Sequence, residues 1–105
     1  MIRQGDVLLV EVDEIPEAAT EVPRDVRGRL VLAEGEATGH AHVIDAPPPE
    51  ATLLTTRENE RFLRLVTAAP LIHEEHARIE VAPGLYRQIP QQEWSDADEI
   101  RQVVD

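Results

Sequence analysis

Two short runs, Glu34-Gly35-Glu36-Ala37-Thr38-Gly39-His40-Ala41-His42 and His73-Glu74-Glu75-His76, hold all four histidines of the chain. Imidazole is the commonest metal ligand and also the side chain that changes charge near neutral pH, so a cluster of them has two chemistries open to it. In an extended strand the side chains at i and i+2 share a face, which points His40 and His42 together, with Thr38 on that side and Ala41 opposite. His73 and His76 would align on one helical turn, whereas a regular strand would pair His73 with Glu75 and Glu74 with His76. Either geometry supplies at least one imidazole. Two histidines from one strand and a histidine or glutamate from another make three or four nitrogen and oxygen ligands, a set suited to Zn²⁺, or to Fe²⁺ and Mn²⁺ where coordination positions stay open. The candidate metal ligands are therefore His40, His42, His73 and His76, with Glu74 and Glu75 as candidate catalytic carboxylates beside the ion. An open position would let a bound water attack a small-molecule substrate; a filled set would fasten two hairpins together.

Two other readings stand beside the divalent metal. Facing histidines, one of them oriented by a carboxylate, can serve as general base and general acid without any ion. Arg78 or Arg64 would then hold an anionic substrate such as a phosphoester, although Ser95, the only serine, reads as a helix cap and not as a nucleophile. The contrasting class is a non-enzymatic interaction module, a homodimer or small ring that uses strand edges and an acidic surface to meet a basic partner.

The scaffold has to be a small one. At 105 residues the chain is expected to form a single domain, 1–105, around one modest core. Hydrophobic residues make up 42%, yet Phe62, Tyr86 and Trp94 are the only aromatics, so the core rests on Val, Leu, Ile and Ala. Tyr86 and Trp94 read as core or rim aromatics, and Glu34 and Glu36 as solvated acids before a glycine turn. Cysteine is absent, which excludes disulfides and thiolate metal sites. The 21 acidic residues outnumber the 10 basic ones, all of them arginine, for a formal charge of −11. Such a chain repels a phosphate backbone, and nucleic acid is not an expected partner. No run approaches the roughly 20 apolar residues of a membrane span, and no basic-then-apolar leader opens the chain. A cytoplasmic location is the expectation.

Asp6 to Asp13 reads as a strand, apolar and β-branched before it alternates. Ile15 to Val26, with Pro16 and Pro23, reads as a loop. Arg27-Gly28 makes a turn, Arg29 to Ala33 a second strand and His40 to Ile44 a third, closed by Pro47-Pro48-Pro49. A hairpin follows, with arms Ala51 to Thr56 and Arg61 to Thr67 around the polar tip Arg57-Glu58-Asn59-Glu60. Pro70 is expected to break the second arm. Ala77 to Val81 alternates as a half-buried strand, Pro83-Gly84 turns the chain, and Leu85 to Ile89 returns. Ser95 with Asp96, Asp98 and Glu99 resembles the start of a helix over Ala97 to Val103, though Ile100 to Val104 would also serve as an edge strand. About seven short strands with closely spaced turn signals predict an all-β fold, a small antiparallel barrel or sandwich, with room for a short C-terminal helix.

The stretches Gln4-Gly5-Asp6-Val7-Leu8, Gly35 to His42, His73 to His76, Pro83-Gly84-Leu85-Tyr86 and Glu93-Trp94-Ser95 resemble a family of small bacterial proteins of about this length. That family brings no established activity with it. His40-x-His42 after Gly35 is similar, more weakly, to part of the first motif of metal-binding cupins. It departs from that motif in lacking a closely following glutamate, and His73 and His76 precede the Pro83-Gly84 turn.

Overall fold

Hydrophobic alternation and turn chemistry translate into strands almost throughout. The computed structural model describes residues 1–34 and 40–90, and all regular structure within them is β. In chain order the strands are β1 (Ile2–Gln4), β2 (Val7–Glu11), β3 (Thr20–Glu21), β4 (Leu30–Glu34), β5 (Ala41–Ile44), β6 (Ala51–Thr55), β7 (Arg61–Leu65), β8 (Ala69–His73), β9 (His76–Val81) and β10 (Gly84–Ile89). They form two antiparallel sheets, one ordered β1-β2-β10-β7-β6-β3 and the other β4-β5-β8-β9. The sheets do not close into a barrel. The candidate C-terminal helix lies outside the described residues, as do Trp94 and Ser95.

Inward residues of both sheets meet in one apolar cluster that includes Val7, Leu9, Leu30, Leu32, Leu53, Leu63, Leu71 and Val81. With so few aromatics, branched aliphatic side chains fill the space between the sheets. Tyr86 joins them, and its hydroxyl, which would otherwise be an unpaired polar atom among apolar neighbours, donates to Ala82 O at 2.7 Å. Arg61 crosses between the layers. From β7 it donates to Val31 O at 2.9 Å and Leu32 O at 3.2 Å, and Gln88 of β10 donates to the same Leu32 oxygen at 2.8 Å. The β4–β5 register shifts between Val31 and Ala33. A bulge leaves backbone groups off the ladder, and side chains of the opposite sheet satisfy this one.

Three elements differ from the sequence expectation. The strands are more numerous than seven partly because β1 and β3, at three and two residues, are too short to show periodicity. Pro70 does not break the chain but lies within β8. Pairing of β8 with β5 covers only Leu71 and Ile72, so the amide that proline lacks is not needed on that side, and Pro70 O accepts from Asp45 N at 3.2 Å. Finally, His73 and His76 lie neither on a helical turn nor in one strand. They are opposite each other across the β8–β9 hairpin, with Glu74-Glu75 as its two-residue tip.

Candidate metal centre

The histidines meet where three pieces of backbone converge: β5, the β8–β9 hairpin and the β1–β2 turn. His42 is the innermost. It occupies β5 between half-buried Ala41 and buried Val43 and is only 4% exposed. A ring buried that far has to find partners for both nitrogens, and His42 does. Nδ1 lies 2.8 Å from Gln4 Oε1, and Nε2 lies 2.9 Å from Asp6 Oδ1. Gln4, also buried, is anchored in turn, its Nε2 donating to Leu71 O at 3.0 Å and Ala77 O at 2.9 Å. One carboxamide thereby ties β1 to β8 and β9 and presents its oxygen to His42.

Gly5 lets the β1–β2 turn come this close. Its φ of +57° is a left-handed conformation that a side chain disfavours. A Cβ at this position would also lie 2.7 Å from His76 Nε2 and 3.0 Å from His42 Cε1.

The remaining rings pack around His42. His73 stacks on it with centroids 4.2 Å apart. His76 lies 5.6 Å from His42 and 4.7 Å from His73, and His40 meets His73 edge-on at 5.8 Å. Two sets of donor atoms, each within 4.8 Å of one another, result: His42, His73 and His76 in one, and His40, His73 and Glu74 in the other. The expected pairing of His40 with His42 on one face is thus replaced by a shared neighbour. His40 precedes β5 and does not lie in it, and it reaches His73, the ring common to both sets.

Glu75 touches the cluster twice. Its carboxylate lies 3.4 Å from His40 Nδ1, and its backbone amide donates to His73 Nδ1 at 3.1 Å. Glu74 is an exposed carboxylate held below the usual range by its own backbone amide first, and then by the nearby His40, His73 and Arg29 charges. Arg78 is exposed on β9 and pairs with Glu80 at 3.6 Å.

Burial is the main influence on His42 and pushes its pKa below the ordinary 6.5, with the neighbouring His73 charge acting in the same direction. The folded ring binds its proton more weakly than the unfolded one, so the unfolded chain takes up more protons as the pH falls through about 6.5. The contribution of His42 is complete above that pH and is lost progressively below it. Denaturant titrations of metal-free protein at pH 7.5 and 5.5 should give a lower unfolding free energy at the acid pH, and a His42→Ala variant should show a smaller difference.

Sequence reading found the four imidazoles but missed Gln4, Gly5 and Asp6, which complete their surroundings. Gly5-Asp6 between two strands is a hairpin signal of ordinary strength, and nothing local marks such a turn as facing a histidine 36 residues away.

Comparison with known proteins adds a lineage. A family model described as "Domain of unknown function (DUF8820)" matches residues 3–91. The chain belongs to this family. Gln4, Asp6 and all four histidines of this DUF8820 chain fall inside the matched span. No curated protein matches it and no solved structure does. Among the described residues, no helix is long and apolar enough to cross a membrane.

Proposed function

We propose that the chain binds a divalent cation of the Zn²⁺ class through His42, His73 and His76, with His40 and Glu74 flanking the ion. The observation that carries the reading is the convergence of three imidazoles from β5 and the β8–β9 hairpin, with donor atoms within 4.8 Å of one another. Ordinary Zn–N bonds of about 2.0–2.1 Å bring ligand atoms into that range around one centre. The depressed pKa of His42 keeps its ring neutral, and so able to ligate, at neutral pH.

The metal-free acid–base reading fares worse at His42. Its Asp6 contact resembles the carboxylate that orients a catalytic imidazole, but Gln4 and Asp6 occupy both nitrogens of a nearly sealed ring. With Gln4 at Nδ1, Asp6 at Nε2 and the ring only 4% exposed, a substrate has no open approach to either nitrogen, whereas an ion needs only the Nε2 lone pair. With three histidines on the ion, the fourth position decides between two roles. A water there, served by Glu74 or Glu75 as base, would make a hydrolytic site; a protein ligand there would make a holding site.

The reading carries a local consequence. His73 accepts the Glu75 amide at Nδ1, so its hydrogen is on Nε2. A neutral imidazole that ligates through either nitrogen loses that bond, because Nδ1 is then either on the metal or protonated. Protein purified without a histidine tag should contain or take up one equivalent of Zn²⁺, and the Glu75 amide resonance should move as it does so. No stoichiometric uptake, and a Glu75 amide indifferent to Zn²⁺, would refute the proposal.

A further inference from the structure

We infer that Asp6 is the fourth ligand of this metal centre, closing it against water; the inference rests on the metal reading above. Both amide hydrogens of Gln4 go to backbone carbonyls, Leu71 O and Ala77 O. The group facing His42 Nδ1 at 2.8 Å is therefore the carboxamide oxygen, which only accepts. Nδ1 must carry a hydrogen, and the lone pair of a neutral His42 ring is consequently on Nε2. That lone pair faces Asp6 Oδ1 at 2.9 Å, and an ionised carboxylate is also an acceptor only.

Two lone pairs facing each other across 2.9 Å call for a positive centre between or beside them. A proton would place an imidazolium in a ring 4% exposed and stacked on His73. A divalent ion does better. It takes the Nε2 lone pair and an Asp6 oxygen together with His73 and His76, which gives four nitrogen and oxygen ligands, the usual number for a closed zinc site. Gln4 then acts as a positioning residue that fixes the His42 tautomer from outside, as hydrogen-bonded partners of ligating histidines commonly do.

The backbone is arranged to deliver the carboxylate. Asp6 is half of a two-residue turn, its side chain 46% exposed and thus able to shift. Tetrahedral ligands on bonds of about 2.0–2.1 Å lie roughly 3.3–3.4 Å apart, so the Nε2–Oδ1 separation widens by about half an ångström, while the carboxylate, outside the 4.8 Å set of His42, His73 and His76, swings in toward the other two rings. Gly5, without a Cβ, leaves clear the space between this turn and the His42 and His76 rings. With Asp6 in place no coordination position remains for water, and the role is to hold the ion rather than to hydrolyse with it.

Zn²⁺ affinity, measured by competition with a chromophoric chelator, and the visible spectrum of the Co²⁺-loaded protein together test this for wild type and Asp6→Asn. Asp6 is exposed and the substitution nearly isosteric, and far-UV circular dichroism checks the fold. Asp6→Asn should still bind one ion through its histidines, at least about tenfold more weakly, with a changed Co²⁺ spectrum. The same comparison with Asp6→Ala, which removes every ligand atom, should show a larger loss. Wild-type affinity and an unaltered spectrum in both variants would overturn the role of Asp6 while leaving the three-histidine reading intact. A wild-type protein that binds neither Zn²⁺ nor Co²⁺ would overturn both.

Discussion

His42→Ala should abolish stoichiometric Zn²⁺ binding, weakening it by about 100-fold or more, beyond the roughly 10–100-fold typical when an outer hydrogen-bonding partner of a ligand is removed. The ring is the one member of the cluster that is both buried and held at two nitrogens, so no neighbour can move into its place. The loss should not stop at the metal. Gln4 Oε1 would be left buried without a donor, a cost of about 1–3 kcal/mol, and His73 would lose the ring it stacks on. For a domain of this size each kcal/mol lowers the melting temperature by about 4–8 °C, so metal-free His42→Ala should melt measurably below metal-free wild type. His40→Ala is the control. His40 is outside the set of His42, His73 and His76, and its removal should leave one equivalent of tightly bound Zn²⁺. Isothermal titration of both variants beside wild type reads the difference, and equal affinity in all three would remove the ground for a centre at His42.

Gly5→Ala should damage the same centre from the other side, without touching a ligand. The backbone there has φ +57°, and a left-handed conformation costs a residue with a Cβ about 1–2 kcal/mol. The added methyl would also meet His76 Nε2 at 2.7 Å and His42 Cε1 at 3.0 Å. His76 is exposed and can swing aside; His42 is sealed and cannot, so His76 is the ring that moves, and the donor set widens. The expected result is a melting temperature lower by about 4–16 °C, from the strain and the shift per kcal/mol together, and Zn²⁺ binding weakened by at least about tenfold. Gly28, with φ +79° and no atom near its missing Cβ, supplies the comparison: Gly28→Ala should show the backbone cost alone and normal Zn²⁺ binding. Should the two glycine variants bind Zn²⁺ equally well, the close approach of the β1–β2 turn would have no bearing on the metal.

The strands that could be anticipated were those whose pattern is local. The hairpin of β6 and β7 was plain, because alternating apolar residues flank Arg57-Glu58-Asn59-Glu60, and Asn59 adopts the positive φ that asparagine tolerates. The imidazoles could be singled out as well, since all four fall in two runs. What the sequence hid was non-local or unconventional. Glu74-Glu75 lacks the Asn-Gly or Gly-containing pattern of favoured two-residue hairpins. Neither residue has a positive φ, and a register shift between Leu71 and His73 accommodates the turn. Pro70 looked like a breaker because its tolerance depends on where pairing with β5 ends, a property of the sheet and not of the segment. Asp6 and Gln4 looked like an ordinary turn acid and an ordinary strand amide. Their significance comes from strand order, which brings the first hairpin against the ninth strand.

That strand order also sets when in folding the histidine pocket can come into being. Gln4 bridges 67 residues to Leu71 and 73 to Ala77, among the longest loops a chain of 105 residues can close, and contacts of such separation tend to form late because chain entropy opposes them. Occupancy of the pocket would consequently report the finished fold: a nicked chain missing its first four residues would retain Asp6 and every histidine and still lack the carboxamide that holds His42 Nδ1.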